Sequence, residues 1–527
     1  MQKTSVDWQT FLPTLIVLAL LSVSIAINPE GAGEAVNSML AFITNQFGWS
    51  FELFVLGIFF FLMWLAFGPY GKVKLGTPDD EPEFSYFTWI AMLFCSGIGT
   101  TLLYWSIIEP MYYLQGPPVG VQPGFEAGST VAAEWAATYG LFHWGFSAWA
   151  VYAIPTLPIA YALYVKKIPV LRLSAACRGV LGKHTDGVIG IAIDVLAMFG
   201  IVGGVGTALG LGVPLISTEI NEIFGIPDTF GLQIAVILIW LSIFGTSVYL
   251  GLYKGIAKLS NFTVYLALGL LAYAFLAGPT MYILNLATNS VGLVFDNFFR
   301  LSMWTDPIAE GGFPQGWTTF YWAWWLALAP LMGIFVARIS KGRTIKEVVI
   351  AETVWGTLGC WVFFFVFGGY TLNLELNQIL SVSSIMSESG TTRAVVEVLK
   401  TLPLPGLVML VTLVISFVFS GTTYDSAAYT LASGTTKGIG LGQEQPPRWF
   451  RALWAVIITV VAIALMLIGG LKVLQLSSVV AAFPLIPVFV IMAVSFVKWL
   501  HEDHGKYLAP SARSVDLGSG SSPSLDA

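Results

Sequence analysis

Charged side chains are scarce in this sequence: Asp, Glu, Lys and Arg make up 10% of its 527 residues, while 56% are hydrophobic. So little charge cannot coat a soluble fold of this length, and a membrane protein is expected. Cysteine is rarer still. Cys95, Cys177 and Cys360 lie in or close to apolar segments without metal-ligand spacing, so no disulfide framework is implied. Of the four histidines, only His143 lies outside the polar loops and the tail, and no HExxH, GxSxG or P-loop motif is present. With no nucleophile, base and oxyanion set to converge, an enzyme is not expected and no cofactor is implied. A net charge of −6 says little by itself about partners, among which no nucleic acid is expected.

What is abundant is apolar sequence. The mean hydropathy of +0.79 comes from separate runs of about 20 residues, each long enough as a helix to cross a hydrocarbon core of roughly 30 Å. Spans are expected near 11–28, 51–69, 86–108, 130–165, 187–214, 231–251, 260–285, 317–338, 347–374, 405–432, 449–470 and 475–499. The fold class is therefore an all-α membrane protein with twelve transmembrane helices. Only Lys3 is basic ahead of the first run, a poor signal-peptide flank, so that run reads as a retained span.

Of the 24 Lys and Arg residues, only Arg300, Arg393, Lys400 and Lys472 fall in one set of loops; the others lie in the alternate loops and the two tails. Cytoplasmic loops retain positive charge, so both termini are expected in the cytoplasm. Between spans seven and eight, residues 290–301 read as a short amphipathic helix along the periplasmic surface. The Ser/Gly/Pro-rich stretch 509–527 reads as a disordered tail.

The aromatic residues carry the chemistry. On the fourth span, Trp144, Trp149 and Tyr152 stand at i, i+5 and i+8. Trp149 is offset from Trp144 by roughly 140° on a regular helix, so the three share one cavity only if the helix bends. On the eighth span, Tyr321, Trp322, Trp324 and Trp325 crowd into one stretch. Such rings occur in interfacial belts, but they also form cages whose π faces hold a cation that has no N–H to donate. The depth of Trp144 and Trp149 within a long span favours the cage.

Other positions are less decided. Small residues from Cys95 to Thr101 suit either close helix packing or an unwound stretch lining a cavity, and spacing favours packing. Asp425 lies near Ser420, Thr422 and Thr423, an oxygen cluster that suits a hard cation such as sodium and equally a helix cap or an unwound hairpin. Glu109 and Glu134, near the outer ends of their spans, read as structural. Asp194 calls for a basic partner that the sequence does not name.

Three blocks carry a family resemblance: Thr305 to Trp317 (TDPIAEGGFPQGW), Phe320 to Trp325 (FYWAWW) and Ala337 to Thr344 (ARISKGRT). Together with nearly the whole chain up to about Leu500, they resemble the betaine/choline/carnitine transporter family, and most of all its carnitine-type members. The resemblance implies two N-terminal helices followed by two inverted five-helix repeats. The corresponding segments are 1–85, 86–285, the connector 286–316, 317–508 and the tail 509–527.

It also implies that Trp144, Trp149, Tyr152, Trp324 and Trp325 form the substrate cage and that Tyr112 contacts substrate in carnitine-type members. This chain departs from the glycine betaine symporters in having Thr101 in place of a third glycine and Leu328 in place of a further tryptophan. Sodium-independent exchangers of the family replace both sodium ions with a methionine, matched here by Met332, and an arginine, where this chain has Thr263. An open second site calls for sodium as the coupling ion, placed by the resemblance at Ser420 with the carbonyls near Cys95 and Ile98, or at Thr423 in its stead.

The expected function is thus sodium-coupled import of a quaternary-ammonium or dimethylsulfonium zwitterion of the betaine, carnitine or dimethylsulfoniopropionate type. Sodium-independent exchange of carnitine-like compounds is the alternative. The expected setting is a bacterial inner membrane, in contact with lipid, as a homotrimer formed near 290–301. Arg513 is the only basic residue beyond Lys506, so regulation by an anionic-lipid switch is not expected.

Overall fold

A computed structural model of the chain describes residues 4–99, 101–118, 125–250, 253–439, 445–469 and 471–505. The tail 509–527 expected to be disordered lies outside the described residues. Nearly all of the described chain is helical. Among the described residues, ten helices are long and apolar enough to cross a membrane, and a bent pair, taken as one span, makes an eleventh.

The principal helices are α1 (Trp8–Ile27), α2 (Pro29–Phe67), α3 (Tyr86–Gly97), α4 (Thr101–Gln115), α5 (Thr130–His143) and α6 (Phe146–Tyr164). They continue with α7 (Val188–Phe224), α8 (Phe230–Leu250), α9 (Tyr253–Ala277), α10 (Thr280–Asp296) and α11 (Thr319–Ile339). Then come α12 (Ile345–Leu376), α13 (Pro405–Gly434), α14 (Arg448–Leu467), α15 (Leu471–Ala482) and α16 (Leu485–His504).

Three long apolar runs are divided where helix geometry fails. The third breaks between Gly97 and Thr101 with a bend of 61°, which corrects the expectation of a continuous helix that uses its small residues for packing. Gly99 adopts φ +55°, a left-handed conformation that costs glycine nothing, and the Cys95 and Ile98 carbonyls near it accept from the side-chain hydroxyls of Thr423 and Thr101. The fourth run breaks at Trp144 and Gly145, where a Cβ on Gly145 would lie 2.5 Å from the Leu141 carbonyl. The last run divides between α15 and α16, ahead of Leu485. Residues 290–301 are not one helix, because α10 ends at Asp296 and a short helix, Phe298–Met303, follows. Asp425 lies inside the unbroken α13, so it is neither a cap nor part of a hairpin.

Glycine sets how closely the central helices approach. A Cβ on Gly333 of α11 would lie 2.6 Å from Pro155 of α6, and one on Gly200 of α7 would lie 2.7 Å from the Ala327 carbonyl of α11. Small residues let backbones meet in a bilayer, where no hydrophobic drive pulls helices together. This contact brings the aromatic stretches of α6 and α11 face to face.

At the chain's start, Ser5–Val6 pairs antiparallel with Thr436–Lys437 after α13. Asp7 caps α1 and binds Arg172 at 2.7 Å and Lys437 at 2.9 Å. Desolvation opposes its charge, yet hydrogen bonds from Arg172 and Lys437 prevail and hold its carboxyl below the usual range. Arg172 also meets Asp194 at 3.3 Å and is the base that the sequence left unnamed.

Candidate functional site: an aromatic cage beside a broken helix

Trp144 occupies the break between α5 and α6, which removes the angular conflict that a regular helix imposes. Its ring lies 6.0 Å from Trp324 and 5.6 Å from Trp325, both nearly edge-to-face. Tyr152, two turns along α6, closes on Trp325 at 4.4 Å. These four rings border a cavity of about 20 Å³, completed by Leu328, Thr423 and the broken segment at Gly97, Ile98 and Thr101. That volume holds about one water, so the rings are drawn together and must part to admit any larger ligand. The indole N–H groups of Trp324 and Trp325 are buried without a protein partner, so packing fixes these two rings.

Trp149 and Tyr112 do not border this cavity. Trp149 packs against two of the cage rings, 5.8 Å from Trp325 and edge-on to Tyr152 at 5.7 Å, and is stacked on Phe94 at 6.0 Å. A side chain on Gly356 of α12 would collide with its indole. Tyr112 is 37% exposed, with its ring near Trp105 and Trp317 and away from the cavity.

A polar cluster that the sequence did not single out holds the outer side of the cage. Fully buried Glu109 accepts hydrogen bonds from Trp144 Nε1 at 2.8 Å, Tyr321 Oη at 2.5 Å and Tyr113 Oη at 2.6 Å. Tyr113 Oη lies 2.7 Å from His143 Nδ1, and His143 Nε2 lies 3.0 Å from Thr318 Oγ1. With Tyr113 donating to Glu109, the consistent neutral tautomer has Nδ1–H donating to Tyr113 and Nε2 accepting from Thr318. The ring also stacks on Tyr321 at 4.8 Å. The i, i+4 spacing of Glu109 and Tyr113 was visible in the sequence, whereas the convergence of α5 and α11 on them was not.

Glu109 thus positions a cage ring by a hydrogen bond. Glu109→Gln is expected to turn one acceptor into a donor facing donors, and to weaken substrate affinity by about tenfold. Titration calorimetry on the purified variant checks this, and unchanged affinity shows that packing alone orients Trp144.

Beside the broken segment, Thr423 Oγ1 lies 3.3 Å from the Cys95 carbonyl and 3.2 Å from the Phe419 carbonyl. Three neutral oxygens are thereby gathered, a donor set that fits a hard monovalent cation. The Ile98 carbonyl accepts from Thr101 Oγ1. Ser420 is buried on the same helix but is not among the residues bordering the cavity. Met332 presses its sulfur against Gly97, 3.5 Å from Ser96 Oγ. Thr263 is buried on α9 and donates to its own helix at the Leu259 carbonyl.

A family model described as betaine/carnitine/choline family transporter matches residues 9–505. Among solved structures, the chain is similar to a Na⁺-coupled sialic acid symporter in a substrate-bound outward-open state. That likeness is 12% identical, covers 90% of this chain and 98% of the other, and has a TM-score of 0.46.

Proposed function

The chain belongs to the betaine/carnitine/choline family of transporters, and we propose that it is a sodium-coupled secondary transporter importing a trimethylammonium or dimethylsulfonium zwitterion. It is a multi-pass membrane protein and a transporter, not an enzyme. The observation that carries the finer reading is the convergence of Trp144, Tyr152, Trp324 and Trp325 on one cavity that opens on a broken helix. A methylated onium has no N–H to donate, so π faces bind it where hydrogen-bond acceptors gain nothing, at about 0.5–2 kcal/mol per ring. Helix breaks expose backbone oxygens at membrane depth only where they line a cavity, which suits them to a coupling ion.

In the same reading the host is a bacterial inner membrane and both termini are cytoplasmic. Assembly is as a homotrimer through the region 290–301, which native mass spectrometry of the detergent-solubilised protein decides.

One observation favours a second reading. Met332 packs its sulfur against the broken segment, where a thioether can stand in for an ion, so sodium-independent exchange of carnitine-like compounds is the competing mechanism.

The test is a binding panel of glycine betaine, carnitine, choline and dimethylsulfoniopropionate, each set against a neutral analogue carrying a tert-butyl group in place of the onium. At least one onium is expected to bind, with its neutral analogue weaker by about tenfold or more. Equal binding of both overturns a cation-selective cage.

A further inference from the structure

The membrane interior holds carboxyl groups beyond the one that fixes Trp144, and two of them, Glu219 and Glu352, have an oxygen without a partner among the described residues; Glu352 is the one joined through Thr156 to a cage residue. Glu52 has donors on both oxygens, Thr319 at 3.2 Å and Trp322 at 2.7 Å. Glu352 is equally buried but takes a single hydrogen bond, from Thr156 Oγ1 at 3.1 Å, and its Oε2 has no partner. It lies in a π-helical turn of α12, Ala351–Trp355, a local widening of the helix that recurs at functional positions. The next residue after that turn is Gly356, against which Trp149 rests.

Thr156 has one hydroxyl hydrogen and two acceptors in reach. Its Oγ1 is 3.1 Å from Glu352 and 3.2 Å from the main-chain carbonyl of Tyr152, the cage residue one turn away. When Glu352 is ionised, the hydrogen turns to the carboxylate and the Tyr152 carbonyl loses it. When Glu352 is protonated, its own O–H donates to Thr156, whose hydrogen is then returned to Tyr152. Pro155 and Pro158 leave the Val151 and Ile154 carbonyls on either side of Tyr152 and Ala153 without their helical N–H donors, so this part of α6 is less tightly bonded than a regular helix.

We propose that Glu352 is a proton-binding site, read through Thr156 at the backbone of Tyr152, so that proton occupancy and onium binding in the cage are linked. The inference rests on the cage reading for its ligand. The proton comes from water and returns to it, and no other reagent is consumed.

The groups facing Glu352 leave it without a counter-ion. Among the described residues, Thr156 is its one hydrogen-bond partner; of the helices packed against this turn, α6 carries the titratable residues Tyr152, Tyr161 and Tyr164, α3 carries Tyr86 and Cys95, and α12 itself adds Cys360, none of them a cation. On the first turns of α12, Lys346 lies over Phe67 and Glu347 binds Thr344 and Arg343. An ionisable residue so placed at membrane depth is a functional candidate by default.

The test uses the full-length transporter in mild detergent. Infrared difference spectra on stepping the pH are expected to contain a protonated-carboxyl band that Glu352→Gln removes and Glu352→Asp shifts. The affinity of the tightest onium in the panel above is expected to change by about tenfold per pH unit through that titration. It is expected to be flat in Glu352→Gln, and also in Thr156→Val, which keeps the band. A pH-difference spectrum from which Glu352→Gln removes no carboxyl band, or a pH dependence of affinity that Glu352→Gln leaves intact, overturns the proposal. Failure of every onium to bind would overturn the cage reading instead, while the infrared band still decides whether Glu352 takes up a proton.

Discussion

Trp325→Ala is expected to lower the affinity for the transported onium by about tenfold or more, the loss of one ring from a desolvated cage. Among the cage rings, Trp325 has the closest neighbours, 4.4 Å from Tyr152 and 5.6 Å from Trp144. Its removal therefore opens the cavity as well as deleting a π face. Trp325→Phe keeps an apolar ring and is expected to lose less. Trp149→Ala separates the two roles, because Trp149 supports Trp325 and Tyr152 without bordering the cavity. It is expected to act mainly on stability, by about 3–5 kcal/mol for a buried aromatic truncated to alanine. Calorimetric affinities and melting temperatures of the variants check the pattern. Wild-type affinity in Trp325→Ala and Trp144→Ala together would show that these rings only fill the core.

Thr423→Ala is expected to raise the sodium concentration needed for uptake by about tenfold or more. The hydroxyl of Thr423 lies within hydrogen-bond reach of the Cys95 carbonyl, so a cation shared by them would fasten α13 to the broken helix beside the cage. Occupancy of that position and of the cage then favour the same shape of the broken segment. By linkage, sodium raises onium affinity by the factor by which the onium raises sodium affinity, typically 5–150-fold for such couplings. Ser420→Ala, a change outside the cavity border, is expected to have the smaller effect, which distinguishes the two positions that the sequence offered. The measurement is uptake into reconstituted vesicles with an imposed sodium gradient, against potassium controls. Uptake indifferent to sodium and stimulated by preloaded onium would establish exchange, with Met332 filling the place of the ion.

The pattern of apolar runs and the Lys and Arg asymmetry are local properties of a chain that must satisfy its own backbone in lipid, and they were legible directly. So was the pairing of Trp324 with Trp325, because adjacent residues need no fold to be neighbours. The break at Gly97 to Thr101 was legible only as a choice between packing and unwinding. The same small residues serve both, and the left-handed Gly99 against Thr423 decides between them.

What the tertiary structure alone decided is which faces meet. Glu109 is joined to Trp144 and Tyr321, Thr423 to Cys95, and Glu352 to Thr156, across separations of 35, 212, 328 and 196 residues. No periodicity within a helix encodes contacts at such distances. They follow from how each helix is rotated about its axis, and that rotation is fixed by the close approaches at Gly200 and Gly333 and by the break at Gly145. For the same reason Trp149, which helical spacing could not place, packs against Trp325 and Tyr152 without bordering the small cavity between the rings.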